Sequence, residues 1–188
     1  GAQFHDLTKD LRKLADKKPL ITIPTFMAIS SVDATVDPDC ARVFFCNKLK
    51  DSKNRMIWYT AKEKKDDPRE ICEGFEIKRI GDLKAGILDY AHLSLPVHPG
   101  NSYYGRDGKY KSCLTYSKSN ITEEQDDPNF SICKNGKIGK ENSLMYGEHT
   151  SENKKNYVVR RLTFNPTFDE MMEDIFAFIK SIETEGIQ

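Results

Sequence analysis

Two residues in this chain are spaced and set so that together they could move a proton: Asp33 and His92. Asp33 follows the apolar, β-branched run in PLITIPTFMAISSVD, residues 19–33. Such a run reads as a strand over 20–29, buried on both faces as in a parallel sheet. Pro24 has no backbone donor, so it belongs near that strand's start or at a sheet edge. His92 follows a second apolar run, Gly86 to Tyr90, in DYAHLSLPVHPG. Each side chain thus emerges past the carboxyl end of an expected strand, where open α/β sheets gather catalytic and ligand-binding groups. A carboxylate beside an imidazole has a defined chemistry. The carboxylate fixes the ring's tautomer and stabilises its charge, and the imidazole takes the proton of a nucleophile such as a serine hydroxyl.

Other residues compete for these roles. Asp37 precedes Pro38, which makes it the natural N-cap of a helix beginning at 38. His98 lies between Pro96 and Pro99 and is the alternative base, although a histidine there reads most simply as an exposed loop residue. His5 and His149 have no acidic partner suggested by spacing and read as surface residues. The five cysteines include no C-x-x-C pair, so neither a zinc site nor a closed disulfide framework is indicated. Cys40 and Cys46 read as small buried residues of the helix after the key strand, while Cys113 and Cys133 could pair in an exported protein. No cofactor or metal is expected.

The elements that must position Asp33 and His92 follow from periodicity. Leu7, Leu11 and Leu14 mark a helix over 6–18, closed by Pro19. A helix over 38–49 should turn Ala41, Phe44, Phe45 and Leu49 toward the sheet, and RMIWYT, 55–60, is a strand. Residues 61–75 hold a solvated charge run and a short helix starting at Pro68. Residues 76–80 and 86–95 read as further strands, with 86–91 in the same sheet as 20–29 and 55–60. Residues 96–155 form a long irregular excursion with short elements, packed by Tyr103, Tyr104, Tyr110, Tyr116, Phe130 and Tyr146. A short strand lies within 157–164. The last helix, 168–183, should begin in a Thr167/Glu170 capping box and bury Phe168, Met172, Ile175, Phe176, Ile179 and Ile182. The fold class is therefore α/β, a mainly parallel sheet flanked by helices, in one domain spanning 1–188. Basic and acidic residues balance at 29 each, which argues against a nucleic-acid surface over the whole protein. No apolar run approaches the ~18 residues that suggest a membrane span.

Three segments, in this order, resemble the α/β-hydrolase superfamily and a bacterial esterase/lipase-like subgroup within it. IPTFMAISSVDATVDP resembles the strand and acid loop. DYAHLSLPVHPGNSYYG is similar to the histidine segment, and RRLTFNPTFDEMMEDIFAFI to the C-terminal helix. The resemblance implies that Asp33 is the acid and His92 the base of a Ser-His-Asp triad that hydrolyses a lipid or small acyl ester. It also implies that the chain corresponds to the C-terminal part of that fold. The family's nucleophile sits in G-x-S-x-G ahead of the acid, and this sequence contains no such motif. Ser30, Ser31 and Ser94 are not on a recognisable elbow. The expectation is a nucleophile upstream of this chain, an incomplete sheet covered by that upstream segment or by a second copy, and no activity from the chain alone. A rival from another class is a non-catalytic binding module. In YYGRDGKYKSCLTYSK, 103–118, tyrosines interleave with Arg106, Lys109, Lys111 and Lys118, as surfaces for single-stranded nucleic acid or sugar do.

Overall fold

The centre of the structure is RMIWYT, which forms strand β2, Arg55–Thr60, with five of its six residues buried. The computed structural model describes residues 10, 13, 22–61, 72–113, 128–139 and 144–183. Strand β1, Phe26–Ser30, lies parallel to β2, as does β3, Phe75–Arg79, in the order β1-β2-β3. Side chains alternate between the two faces of a strand. Met56 and Trp58 of β2 join Met27 and Ile29 of β1 on one face, where Phe45 and Leu49 cover them. Ile57 and Tyr59 turn to the other face with Phe26 and Ala28. Burial of each large side chain here contributes on the order of 1.5–3 kcal/mol.

The first face is covered by helix α1, Pro38–Lys48. Asp37 caps it, its Oδ1 accepting from the Asp39 and Cys40 backbone N–H groups at 2.9 and 3.1 Å. Those hydrogen bonds hold its carboxyl below the ordinary carboxylate value. Phe45 and Leu49 are buried as expected and Ala41 packs beside them, but Phe44 is exposed. Cys46 bridges to Cys72, which staples α1 to the entry of β3. The sequence reading missed this disulfide because the two cysteines lie 26 positions apart on different elements. Cys40 is exposed rather than buried.

A second parallel pair, β4 (Leu144–Gly147) and β5 (Val158–Arg161), lies within and after the long excursion. Between them is the six-residue helix α3, Ser151–Asn156, and before them α2, Pro128–Asn135. The Cys113–Cys133 disulfide holds α2 beside this pair. The expected strand over 86–91 does not form, and residues 76–80 appear as β3, one position earlier than read. Instead Ile87 makes a single parallel bridge to Tyr146, with Leu88 N–H donating to the Tyr146 carbonyl and Tyr146 N–H to the Gly86 carbonyl. The ladder stops there because the next donor, Glu148 N–H, goes to the Asp89 side chain at 2.6 Å rather than to backbone. So the His92 segment lies along β4, outside the sheet in which it was expected.

The last helix, α4, Phe168–Glu183, packs on the second face of the first sheet. Its buried stripe runs through Phe168, Met171 and Ile175, and the Phe178 ring meets Phe26 at 5.7 Å. Phe176 and Ile179, expected inside, are exposed. Lys78 of β3 pairs with Asp174 across this face. The Thr167/Glu170 box gives way to a different start: Thr167 N–H donates to Asn165 Oδ1, and the Thr167 hydroxyl contacts Tyr90 Oη at 2.9 Å. The helix expected over 6–18, most of the charge run, and Tyr116 and Lys118 lie outside the described residues, apart from Asp10 and Lys13. Among the described residues no helix is long and apolar enough to cross a membrane.

Gly74, at the entry to β3, tests how tightly this sheet is fixed. Its φ is +77°, and a Cβ there would sit 2.1 Å from the Asn54 carbonyl oxygen. Gly139 has φ +72° but open space around it. Gly139→Ala should cost about 1–2 kcal/mol, the left-handed penalty alone, and Gly74→Ala clearly more. Equal urea midpoints for the two variants would contradict this packing.

Candidate functional site

Asp33 sits three residues past the end of β1, in a turn closed by its own N–H donating to the Ser30 carbonyl at 3.2 Å. Its Oδ1 accepts from the backbone N–H groups of Thr35 and Val36, both at 2.8 Å. This local turn uses one oxygen and leaves the other directed across the loop. Oδ2 accepts from His92 Nδ1–H at 2.7 Å, a bond between residues 59 positions apart. The Asp33 side chain is 5% exposed, whereas the imidazole keeps 30% of its surface. Nδ1 is thereby the protonated ring nitrogen, and Nε2 carries no hydrogen bond to the described residues.

The His92 segment is held from several directions. Ser30, the last residue of β1, donates its hydroxyl to the Tyr90 carbonyl at 2.6 Å. The Tyr90 ring lies 5.3 Å from that of Tyr59 on β2. Ala91 begins a turn in which Ser94 Oγ donates back to the Ala91 carbonyl at 2.7 Å. Ser30 and Ser94 are both buried and committed to carbonyls, and Ser31 donates to Thr60 Oγ1. Asn165 fixes the chain after His92, its Nδ2 donating to the Leu95 carbonyl and its N–H to that of Val97.

Asp33 and His92 border an open cleft of about 410 Å³ whose other walls are apolar, among them Phe26, Val36, Leu95, Met171 and Ile175. The cleft lies beside β1, which is an edge strand among the described residues. His98, the competing base, is elsewhere: its ring packs edge-on against Phe168, Nδ1 accepts from Gly100 N–H at 2.9 Å, and Nε2 is 3.9 Å from Asp169. His5 lies outside the described residues. His149 is not a surface residue. Its Nε2–H donates to the Val159 carbonyl at 3.0 Å, and burial lowers its pKa, favouring the neutral ring.

Beneath His92 lies a buried polar network that sequence reasoning missed. Glu148, one residue past β4, accepts from His92 N–H at 3.1 Å and from His149 N–H at 2.8 Å. Arg161, at the end of β5, donates through Nη2 to Glu148 Oε2 at 3.0 Å. Its Nε lies 2.9 Å from Glu148 Oε1 but lacks hydrogen-bond alignment, so the second contact is an ion pair only. Asp89 accepts from Glu148 N–H and from Asn153 Nδ2 at 2.7 Å. The available signal was an acid directly after the short apolar segment LMYG, the same pattern that singled out Asp33.

The aromatic and basic loop is divided by the fold. Tyr103, Tyr104 and Tyr110 pack on one another with centroids 4.7–5.8 Å apart. Arg106 lies over Phe164 and, with Lys111, lines a different cleft. Comparisons with protein-family models, with curated proteins and with solved structures find no match for this chain.

Burial pushes the Asp89 carboxyl up from 3.8 to about 6, with Glu148 and Glu152 adding to the rise and the hydrogen bonds from Asn153 and Glu148 N–H opposing it. Between pH 3.8 and about 6 the folded chain keeps a proton that the unfolded chain has lost. Stability from this group therefore falls as pH rises through that window and is lowest above it. The stability of wild type relative to Asp89→Asn should decline by roughly 2–3 kcal/mol from pH 4 to 6 and then level off. A flat difference in urea unfolding across this range would contradict the assignment.

Proposed function

We propose that this chain supplies the acid and base of a serine-hydrolase triad acting on a lipid or small acyl ester. The single observation that carries the proposal is the 2.7 Å bond between Asp33 Oδ2 and His92 Nδ1. In this reading His92 Nε2 takes the proton of a serine hydroxyl as the oxygen attacks the ester carbonyl, then returns it to the leaving alkoxide. Asp33 holds the ring in the tautomer that leaves Nε2 able to accept. The nucleophile belongs to a G-x-S-x-G segment upstream of this chain in the same protein. The edge of β1 that is open among the described residues is where such a segment's strand would pair, and the apolar cleft beside His92 would accept the acyl group. In this reading the chain is the C-terminal half of an α/β-hydrolase fold, of the esterase/lipase-like kind.

A second, non-catalytic reading draws on the cleft of about 400 Å³ lined by Arg106, Lys111, Lys134, Lys137 and Arg160, with Asp107 as the one acid among its lining residues. Here the basic loop would bind an anionic ligand, with the Tyr146 ring as part of the wall.

The two readings separate in the protein carrying the upstream segment, assayed on p-nitrophenyl esters. His92→Ala should remove nearly all turnover, and Asp33→Asn should leave folding intact and lower it by orders of magnitude. The 188-residue chain alone should not hydrolyse these esters. Wild-type turnover in a folded His92→Ala variant would rule out the triad. Saturable polyphosphate binding, lost in Lys111→Ala with Lys137→Ala, would then favour the binding module.

A further inference from the structure

Glu148 is 1% exposed, the lowest value for any carboxylate among the described residues, and it takes no part in the Asp33–His92 bond itself. Burying a carboxylate is costly unless it is paired and hydrogen-bonded. Glu148 is both, and its partners are informative. Oε2 accepts from the backbone N–H of His92 and from Arg161 Nη2. The same Nη2 reaches Thr35 Oγ1 at 3.2 Å. Thr35 N–H in turn donates to Asp33 Oδ1 at 2.8 Å, and Asp33 Oδ2 accepts from the His92 ring. The path therefore closes on itself: His92 backbone, Glu148, Arg161, Thr35, Asp33, His92 ring. It joins the ends of β1, β4 and β5 and the segment after Tyr90.

We infer that Glu148 and Arg161 are positioning residues that set the distance and direction of the Asp33–His92 bond by clamping the backbones on both sides of it. The inference rests on the reading of that pair as acid and base. Neither residue touches the cleft. Glu148 fixes the His92 main chain, which leaves the side-chain torsions as the ring's principal freedom. Arg161 ties the Asp33 loop to the same carboxylate, so the two loops move together. A carboxylate suits the centre of this arrangement because one oxygen can take two donors and the other can serve a third. A glutamine side chain has one acceptor oxygen, and its amide nitrogen would face a donor. Thr35 is an exposed residue whose hydroxyl contributes only the last link, so its removal perturbs the ring without opening the core.

The test uses the 188-residue chain and needs no substrate. The imidazole Nδ1–H proton of His92, bonded to a largely buried carboxylate, should give a resolved low-field proton resonance, assigned by its loss in His92→Gln. The indole N–H of Trp58, the single tryptophan, reports whether the β2 core is intact. In Glu148→Gln and Arg161→Met the Nδ1 proton should exchange with water at least about tenfold faster, while the Trp58 signal stays in place. Thr35→Val should show the same change to a smaller degree. It decides the matter if either core variant fails to fold. An unchanged Nδ1 exchange rate in folded variants, with Asp33→Asn still abolishing the resonance, overturns the clamp and leaves the acid–base pair standing. If Asp33→Asn leaves the wild-type resonance unaltered, the pair itself is wrong and the clamp falls with it.

Discussion

Burial of Tyr90 is the joint on which this structure turns. Its carbonyl takes the hydroxyl of Ser30 at the end of β1, its ring lies against Tyr59 of β2, and its phenol oxygen meets Thr167 at the start of α4. The residue is 1% exposed and lies two positions before His92. Through it the three-stranded sheet, the segment beside β4 and the final helix share one apolar core with Ile57, Ile87, Tyr146 and Phe164. Because that core fixes both sheets, the carboxyl ends of β1, β4 and β5 come together. Asp33, Glu148 and Arg161 each lie at or just past one of those ends. A large aromatic residue committed to three elements is well suited to this role, since its burial is worth several contacts at once and its hydroxyl still finds a partner.

The meeting point is polar, and the surrounding core sets the terms on which it can exist. Charged groups removed from water must be paired or must give up charge. Both solutions occur within a few residues of one another. Glu148 is paired with Arg161, and Asp89, which has no cation partner among the described residues, has its carboxyl raised by burial. Asp33 takes an intermediate course, with two backbone donors on one oxygen and an imidazole on the other. The cleft that Asp33 and His92 border is, by contrast, lined otherwise by apolar side chains.

Much of this was legible in the sequence, and the failures have physical causes. The β1–α1–β2 unit follows from a β-branched run, an Asp-Pro cap and an aromatic strand, all local signals. The Asp33–His92 contact could be read from two side chains placed after apolar runs. What could not be read depends on nonlocal choices. The expected strand over 86–91 became a single parallel bridge to β4 because the Asp89 side chain captures the donor that would have continued the ladder. On α4 the periodicity fits two adjacent stripes, and only packing against Phe26, Ala28 and Ile57 selects Met171 and Ile175 over Phe176 and Ile179. Cys46 and Cys72 gave no spacing signal, and Glu148 lay in a stretch whose irregular composition concealed a four-residue strand.

The central claim is that Asp33 and His92 act as one unit, and a double-mutant cycle on stability tests it most directly. Urea unfolding at pH 7 would be measured for wild type, Asp33→Ala, His92→Ala and the double variant. The cycle cancels what Asp33 does for its own turn and what His92 does for its own loop, leaving the interaction between them. A coupling energy of about 0.5–3 kcal/mol is predicted, so the double variant should be more stable than the sum of the two single losses implies. Strictly additive losses would mean that the two side chains do not meet in solution, and would contradict the account.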